Sequence, residues 1–264
     1  MPSTSLRTLS LTLTVLLAAS IGLPALGAAP THQTAQNRSG NSGILMARLN
    51  FRARNIAPSR NRTGGASRGT CIPKSQLSMA KALLPSSNVG LTVSENPTLF
   101  VNLPSTSGES AEFFLFDSTT KEEVYYTIYS LPSTPGVVSF TLPKDNNGKS
   151  LLKAGKRYHW KFVVKCDPTD GGNTIEIIGD IERHLLNTSS GNQLQPRASR
   201  NLLALYAENG IWYATVATLA ELQKANPNDA ELKADWKTLL QSVGGLDPSI
   251  AQSPLLGSLI TQEE

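Results

Sequence analysis

The sequence predicts an α+β chain, an antiparallel β-sandwich followed by a small helical region. Three observations predict it. From residue 97 onward, apolar and aromatic runs of strand length recur between turn residues. One of them, residues 156–166, alternates strictly, with Tyr158, Trp160, Phe162, Val164 and Cys166 on one parity and His159, Lys161 and Lys165 on the other. After about Pro196 the apolar period becomes helical.

Residues 1–29 read as a signal peptide. A short start carrying Arg7 precedes an apolar core, residues 9–19, and the small residues of 24–29 place the expected cut after Gly27 or Ala29. The apolar run is too short to span a bilayer. The expected location is therefore exported, periplasmic or extracellular. Residues 30–69 are rich in Ser, Asn, Gly, Thr and Arg, and are expected to form a disordered or loosely held arm.

The folded region begins at about residue 70. Residues 75–84 read as a short helix stopped by Pro85. Strands are expected at 97–104, 111–117, 122–130, 137–142, 156–166 and 174–182. In the last of these, Ile175, Ile177 and Ile181 should face inward, and Glu176, Asp180 and Glu182 outward. Strands at this spacing argue for a sandwich of immunoglobulin-like kind over 70–190. Helices are expected at 198–208, 211–225 and from Asn228 to about Val243, within a helical region of 196–250. Asn228 is the expected cap of the third, with Glu231 three residues on as a capping box. Leu202, Tyr206, Gly210, Leu219 and Pro227 have the mutual spacing of a single tetratricopeptide-like hairpin, though Thr215 stands where a small alanine is usual. Residues 251–264 are expected to be a flexible tail.

The formal charge of +4 divides unevenly along the chain. Arg38, Arg48, Arg52, Arg54, Arg60, Arg62 and Arg68 lie between residues 30 and 69, a stretch without Asp, Glu or Lys. Setting these and Arg7 aside leaves 16 basic residues after residue 69, against 20 acidic ones. The high pI thus describes the arm, and the folded region carries a net −4.

The two cysteines, Cys71 and Cys166, are too few for a zinc site without histidines. Export permits a disulfide between them, which is the expected state; free buried thiols are the alternative. Cys166 falls at the end of an inward row, which suits a structural sulfur.

Several segments together resemble a cyanobacterial family known as domain of unknown function 928. They are Arg68 to Cys71, Ala82 to Pro85, Asn96-Pro97-Thr98, Leu131-Pro132, Thr134 to Ser139, Gly155 to Phe162 with Cys166, Gly179 to Arg183, and Gly210 to Tyr213. The resemblance covers about residues 68–250 and departs at Ala214, where an acidic residue is expected. It implies an exported cyanobacterial protein and brings no activity, cofactor or catalytic residue with it.

The residues themselves offer few catalytic constellations. His32 lies in the arm, His159 on an outward strand face, and His184 just past a strand. No Gly-x-Ser-x-Gly elbow, phosphate-binding glycine motif or dinucleotide fingerprint occurs, so no cofactor is expected. Asp180 and Glu182 would stand about 6–7 Å apart along one face, a separation that overlaps glycosidase carboxylates. A solvated charged row is the plainer reading. Asp167, Asp170 and Asn173 could ligate calcium, yet lack the full loop pattern of a calcium site. The expected function is a non-enzymatic binding or scaffold module of the envelope, contacting another envelope or secreted protein, with Trp212 and Tyr213 as candidate contact residues. The same pair also suits the seam between the helical hairpin and the sheet, and that core position is the favoured reading. A hydrolase acting on polysaccharide or peptide is one alternative. Another is an anionic polymer or membrane surface held by Arg48, Arg52, Arg54, Arg60 and Arg62. Sequence-specific nucleic-acid reading is not expected, because Phe51 is the one aromatic of the arm.

Overall fold

The computed structural model describes residues 49–59, 70–167, 169, 172–185 and 198–262, all within one compact unit that begins at Met46. The expected signal peptide, His32, Arg48, Arg60, Arg62 and Asp170 lie outside the described residues.

Mixed α and β content is observed, in two antiparallel-rich sheets with a few helices. The strands are β1 (Lys81–Ala82), β2 (Val89–Thr92), β3 (Thr98–Leu103), β4 (Ser110–Asp117), β5 (Glu123–Ser130), β6 (Gly136–Thr141), β7 (Arg157–Lys165), β8 (Thr174–Arg183), β9 (Leu255–Ser258) and β10 (Ile260–Thr261). One sheet runs β1-β3-β6-β9 and the other β10-β5-β4-β7-β8-β2. The alternation along β7 decides its orientation: Tyr158, Trp160, Phe162 and Val164 are buried. Phe140 on β6 joins the two sheets, its ring centroid 5.0 Å from Phe113, 5.2 Å from Tyr129 and 5.3 Å from Phe162. These rings bring the inner faces of the sheets together into one core.

Several local expectations differ from the structure. Residues 75–84 do not form an α-helix. A 3-10 turn covers Lys74–Met79, and the chain then extends into β1, which pairs with β3. Strand pairing satisfies backbone groups that so short a helix would leave open. Two pairings are parallel rather than antiparallel, β2 on β8 and β9 on β6. Residues 251–264 had the composition of a flexible tail, yet β9 extends the four-stranded sheet and β10 the six-stranded one. The tail therefore covers an edge of each sheet, where unpaired backbone groups would otherwise face solvent. Gly136 permits its approach, since a Cβ there would sit 2.6 Å from Pro254 O.

The helices are α1 (Arg200–Glu208), α2 (Trp212–Ala225) and α3 (Ala230–Ser242). Ser199 caps α1, its hydroxyl accepting from Leu202 N–H. The cap of α3 is Asp229 rather than Asn228. Its carboxylate accepts from Glu231 N–H and Leu232 N–H and also takes a 2.7 Å bond from Arg200, which ties α1 to α3. A charged cap next to a cation outcompetes the neutral amide one residue earlier. No helix among the described residues is long and apolar enough to cross a membrane.

Helix α2 closes the edge of the body opposite the tail. Trp212 Nε1–H donates to Leu83 O at 2.8 Å, just beyond β1. Trp160 Nε1–H donates to the Tyr213 hydroxyl at 2.9 Å, and that hydroxyl donates to Asp180 O. Gly90 on β2 leaves room for the Tyr213 ring, which a Cβ would strike. Burial pushes the Tyr213 hydroxyl far above the ordinary tyrosine range. Tyr213→Phe should destabilise the fold by about 1–3 kcal/mol, because the indole N–H of Trp160 loses its acceptor in a buried place. Urea unfolding of this variant measures the loss; a change below about 0.5 kcal/mol would show that a water replaces the hydroxyl.

Residues 49–59, expected within a loosely held arm, are instead tied to the body. Phe51 meets Trp212 edge-on at 5.0 Å, Arg52 N–H donates to Ala207 O, and Arg54 Nε–H donates to Asn209 O at 2.8 Å. Gly210, at φ +67°, makes the turn between α1 and α2. A Cβ there would lie 2.6 Å from Arg52 O, so the glycine serves both the turn and the seat of the arm.

Candidate functional site

The outer face of the six-stranded sheet gathers most of the chemistry-bearing side chains. Period-two geometry places them there. Along β4, Ala111, Phe113, Leu115 and Asp117 are buried, whereas Glu112, Phe114 and Phe116 point the other way. Cross-strand register sets Phe114 between Tyr126 of β5 and Lys161 of β7, and Phe116 beside His159. On β8 the corresponding residues are Glu176, Asp180 and Glu182.

This face has two zones. At one end the charged groups are tied together. His159 Nδ1 stands 2.9 Å from Asp180 Oδ1. Arg157 donates to Glu182 Oε2 from Nε at 3.1 Å and from Nη2 at 3.0 Å, while His184 Nε2 lies 2.8 Å from Glu182 Oε1. The arm crosses the same end: Arg157 Nη1–H donates to Ala57 O, and Ser59 N–H to Ser87 O. Asp180, expected in a solvated row, is therefore buried at 4 % exposure, because β2 extends the sheet beyond β8 and the arm runs alongside.

The second zone is a shallow groove of about 330 Å³ over the middle strands β4, β7 and β8. Phe114 and Phe116 lie on its apolar side, 6.0 Å apart between centroids and parallel to within 10°. Tyr126, 39 % exposed, extends this cluster with its ring centroid 5.0 Å from that of Phe114. Lys161 faces Glu176 at 3.6 Å, and Lys165 faces Glu112 at 3.7 Å. Both separations exceed direct hydrogen-bond distance. The tied end differs in this respect, since its ion pairs are hydrogen-bonded.

The residues singled out from sequence are distributed differently. Cys71 and Cys166 form a disulfide. Trp212 and Tyr213, candidates either for a contact point or for the seam between hairpin and sheet, are 1 % and 2 % exposed and spend their polar atoms inside the body. Arg54 is engaged at the end of α1 and Arg52 is exposed. Asp167 accepts from Thr169, and Asn173 Oδ1 from Thr70 N–H. Among the described residues no three His, Cys, Asp or Glu side chains are grouped to hold a metal ion. Asp180 and Glu182 do come close to histidines, but each carboxylate is already committed to a partner. Phe114, Phe116 and Tyr126 were not singled out from sequence. The signal was there: residues 111–117 carry large apolar side chains on both parities, more than one buried face requires.

Asp117 ends β4 next to this face. Its carboxyl is lowered to about 2, first by the hydrogen bond from Lys156 at 2.7 Å and then by Thr119 N–H, with burial opposing. Lys156 is raised in return by Asp117. A carboxylate whose folded value lies below its unfolded one stabilises the fold above the unfolded value, and loses that contribution as pH falls through the folded one. The melting temperature should therefore fall from pH about 4 to about 2 more steeply for the unsubstituted chain than for Asp117→Asn. Parallel slopes in a thermal melt series would show that the pair does not couple to folding.

Together the fold and this face define a mixed α+β protein of two sheets whose outer sheet surface is aromatic and charge-lined. The family model for Domain of Unknown Function (DUF928) matches residues 63–255, and the chain belongs to that family. Comparison with curated proteins produced no match.

Proposed function

We propose that this is an exported, non-enzymatic binding module of the cell envelope whose contact surface is the outer face of the six-stranded sheet. The observation that carries this reading is the Phe114, Phe116 and Tyr126 cluster beside a groove. Large apolar rings placed outward on a sheet that already has a full core are costly to leave wet, and such patches mark contact surfaces. Export rests on the signal-like first 29 residues and suits a disulfide-bonded chain. We also infer that the body is an immunoglobulin-like sandwich, supported by the ring layer between its sheets, and that α1 and α2 form a tetratricopeptide-like hairpin turning at Gly210. A hydrolase is the weaker reading because Asp180 and Glu182 are held in pairs. Contact through Trp212 and Tyr213 is not retained, since both are interior.

The test is a photoreactive amino acid at position 126 or 161, compared with one at exposed Lys237 on α3, in living cells. Adducts from 126 and 161 that are absent from 237 support the reading. No adduct from the face, or equal capture at all three positions, would overturn it. Mass spectrometry of the envelope fraction should find the mature chain beginning just after Gly27 or Ala29; an intact residue 1 there would mean an uncleaved anchor, and recovery of the chain from the cytoplasmic fraction alone would overturn export.

A further inference from the structure

We infer that the groove over β4, β7 and β8 takes a neutral carbohydrate chain. This rests on the reading of that face as the contact surface, and three observations narrow the ligand further.

The first is charge. Two lysines and two glutamates line the groove, so it carries no net charge, and the folded region around it is net negative. A polyanion such as a nucleic acid or an anionic lipid surface gains nothing there, since its affinity depends on unbalanced cations. A polycation is no better matched. A neutral polyol suits such a lining, because each hydroxyl can both accept from an ammonium and donate to a carboxylate.

The second is unused hydrogen-bonding capacity. Lys161 with Glu176, and Lys165 with Glu112, are ion pairs at 3.6 and 3.7 Å. The side chains of the first pair are a little over one third exposed and those of the second half-buried, and ion pairs without a direct hydrogen bond can accept a third group. Donors and acceptors therefore stand beside the apolar rings, on the side of β7 and β8.

The third is the backbone. The groove lies over interior strands, with β4 paired to both β5 and β7, and β7 to both β4 and β8. An extended peptide would find no free main-chain ladder on this face, which is what strand addition needs. The ligand must supply its own polar groups around an apolar surface. A sugar ring does so: its C–H face rests on the negative π-face of Phe114, Phe116 or Tyr126, while its edge hydroxyls reach the lysines and glutamates.

Isothermal titration calorimetry of the full mature chain tests this. The probes are cellohexaose, laminarihexaose, maltohexaose and chitohexaose, with a single-stranded oligodeoxynucleotide as the polyanion. At least one hexasaccharide should bind, with an affinity that changes little from low to high salt. Phe114→Ala should weaken it about tenfold, the loss of one stacked ring. Tyr126→Ala, at an exposed ring, should weaken it similarly, and provides the test should Phe114→Ala fail to fold. Binding of none of the four sugars overturns the inference, as does sugar binding untouched by a folded ring variant. Oligonucleotide binding alone would place the ligand on the arginine arm and overturn it too. If no sugar binds but position-specific adducts from residues 126 and 161 contain a protein, the contact face stands and the carbohydrate falls. If neither is found, both fall.

Discussion

Replacing Cys71 and Cys166 together by serine should lower the unfolding free energy by about 4–5 kcal/mol, the chain-entropy value for a loop of this length. The bond closes a separation of 95 residues and joins the segment before the 3-10 turn to the end of β7. That segment is otherwise held by Ile72 in the core and by two hydrogen bonds, Thr70 N–H to Asn173 Oδ1 and Ser107 N–H to Cys71 O. It includes none of the sheet ladder, so the crosslink acts largely by restricting the unfolded chain. Domains carry about 5–15 kcal/mol in all, so this is a large share. Urea unfolding with and without reductant should show the midpoint of the unsubstituted chain fall to that of the double variant. A midpoint shift equivalent to under about 1 kcal/mol would mean that the reduced chain already holds these ends together.

Trp212→Ala should cost about 3–5 kcal/mol and also release the arm. The indole is 1 % exposed, donates to Leu83 O and supports Phe51 edge-on. Its removal opens a cavity among β1, α2 and the arm, and leaves the Leu83 carbonyl without its partner. Trp212→Phe separates the effects, since it restores part of the volume but not the donor. The arm offers trypsin sites at Arg52 and Arg54. The alanine variant should be cut there faster than the unsubstituted chain under native conditions, with the phenylalanine variant between them. Equal cutting rates would show that the contacts of Arg52 and Arg54 with α1 and Asn209 hold the arm without the ring.

Much of the inner architecture was legible from local patterns. The parity of Tyr158, Trp160, Phe162 and Val164 is a property of extended backbone, and it predicted which side of β7 is buried. Asn209-Gly210 and Asn226-Pro227 punctuate the helices because positive φ and a missing N–H interrupt helical geometry anywhere. The paired cysteines followed from the expected compartment and from the inward parity of Cys166. The candidate site was barely legible. Phe114, Phe116 and Tyr126 resemble core residues in a strand pattern, and Trp212-Tyr213 suits both a surface anchor and the seam between hairpin and sheet. The neighbours decided both: they left the first group facing outward and put the second pair inside.

The sequence by itself determined which side chains share a face: the inward row of β7, the isoleucines of β8 and the alternation along β4. It also determined where α1 and α2 must end. Only the tertiary structure decided which faces are covered. It brought β2 parallel beside β8 and buried Asp180 against His159; it wedged α2 against Gly90 and Trp160; it stitched residues 255–261 onto both sheet edges. The physical reason is that periodicity arises within a few residues of backbone, whereas covering a face depends on partners distant in sequence, such as Trp212 and Leu83, 129 residues apart.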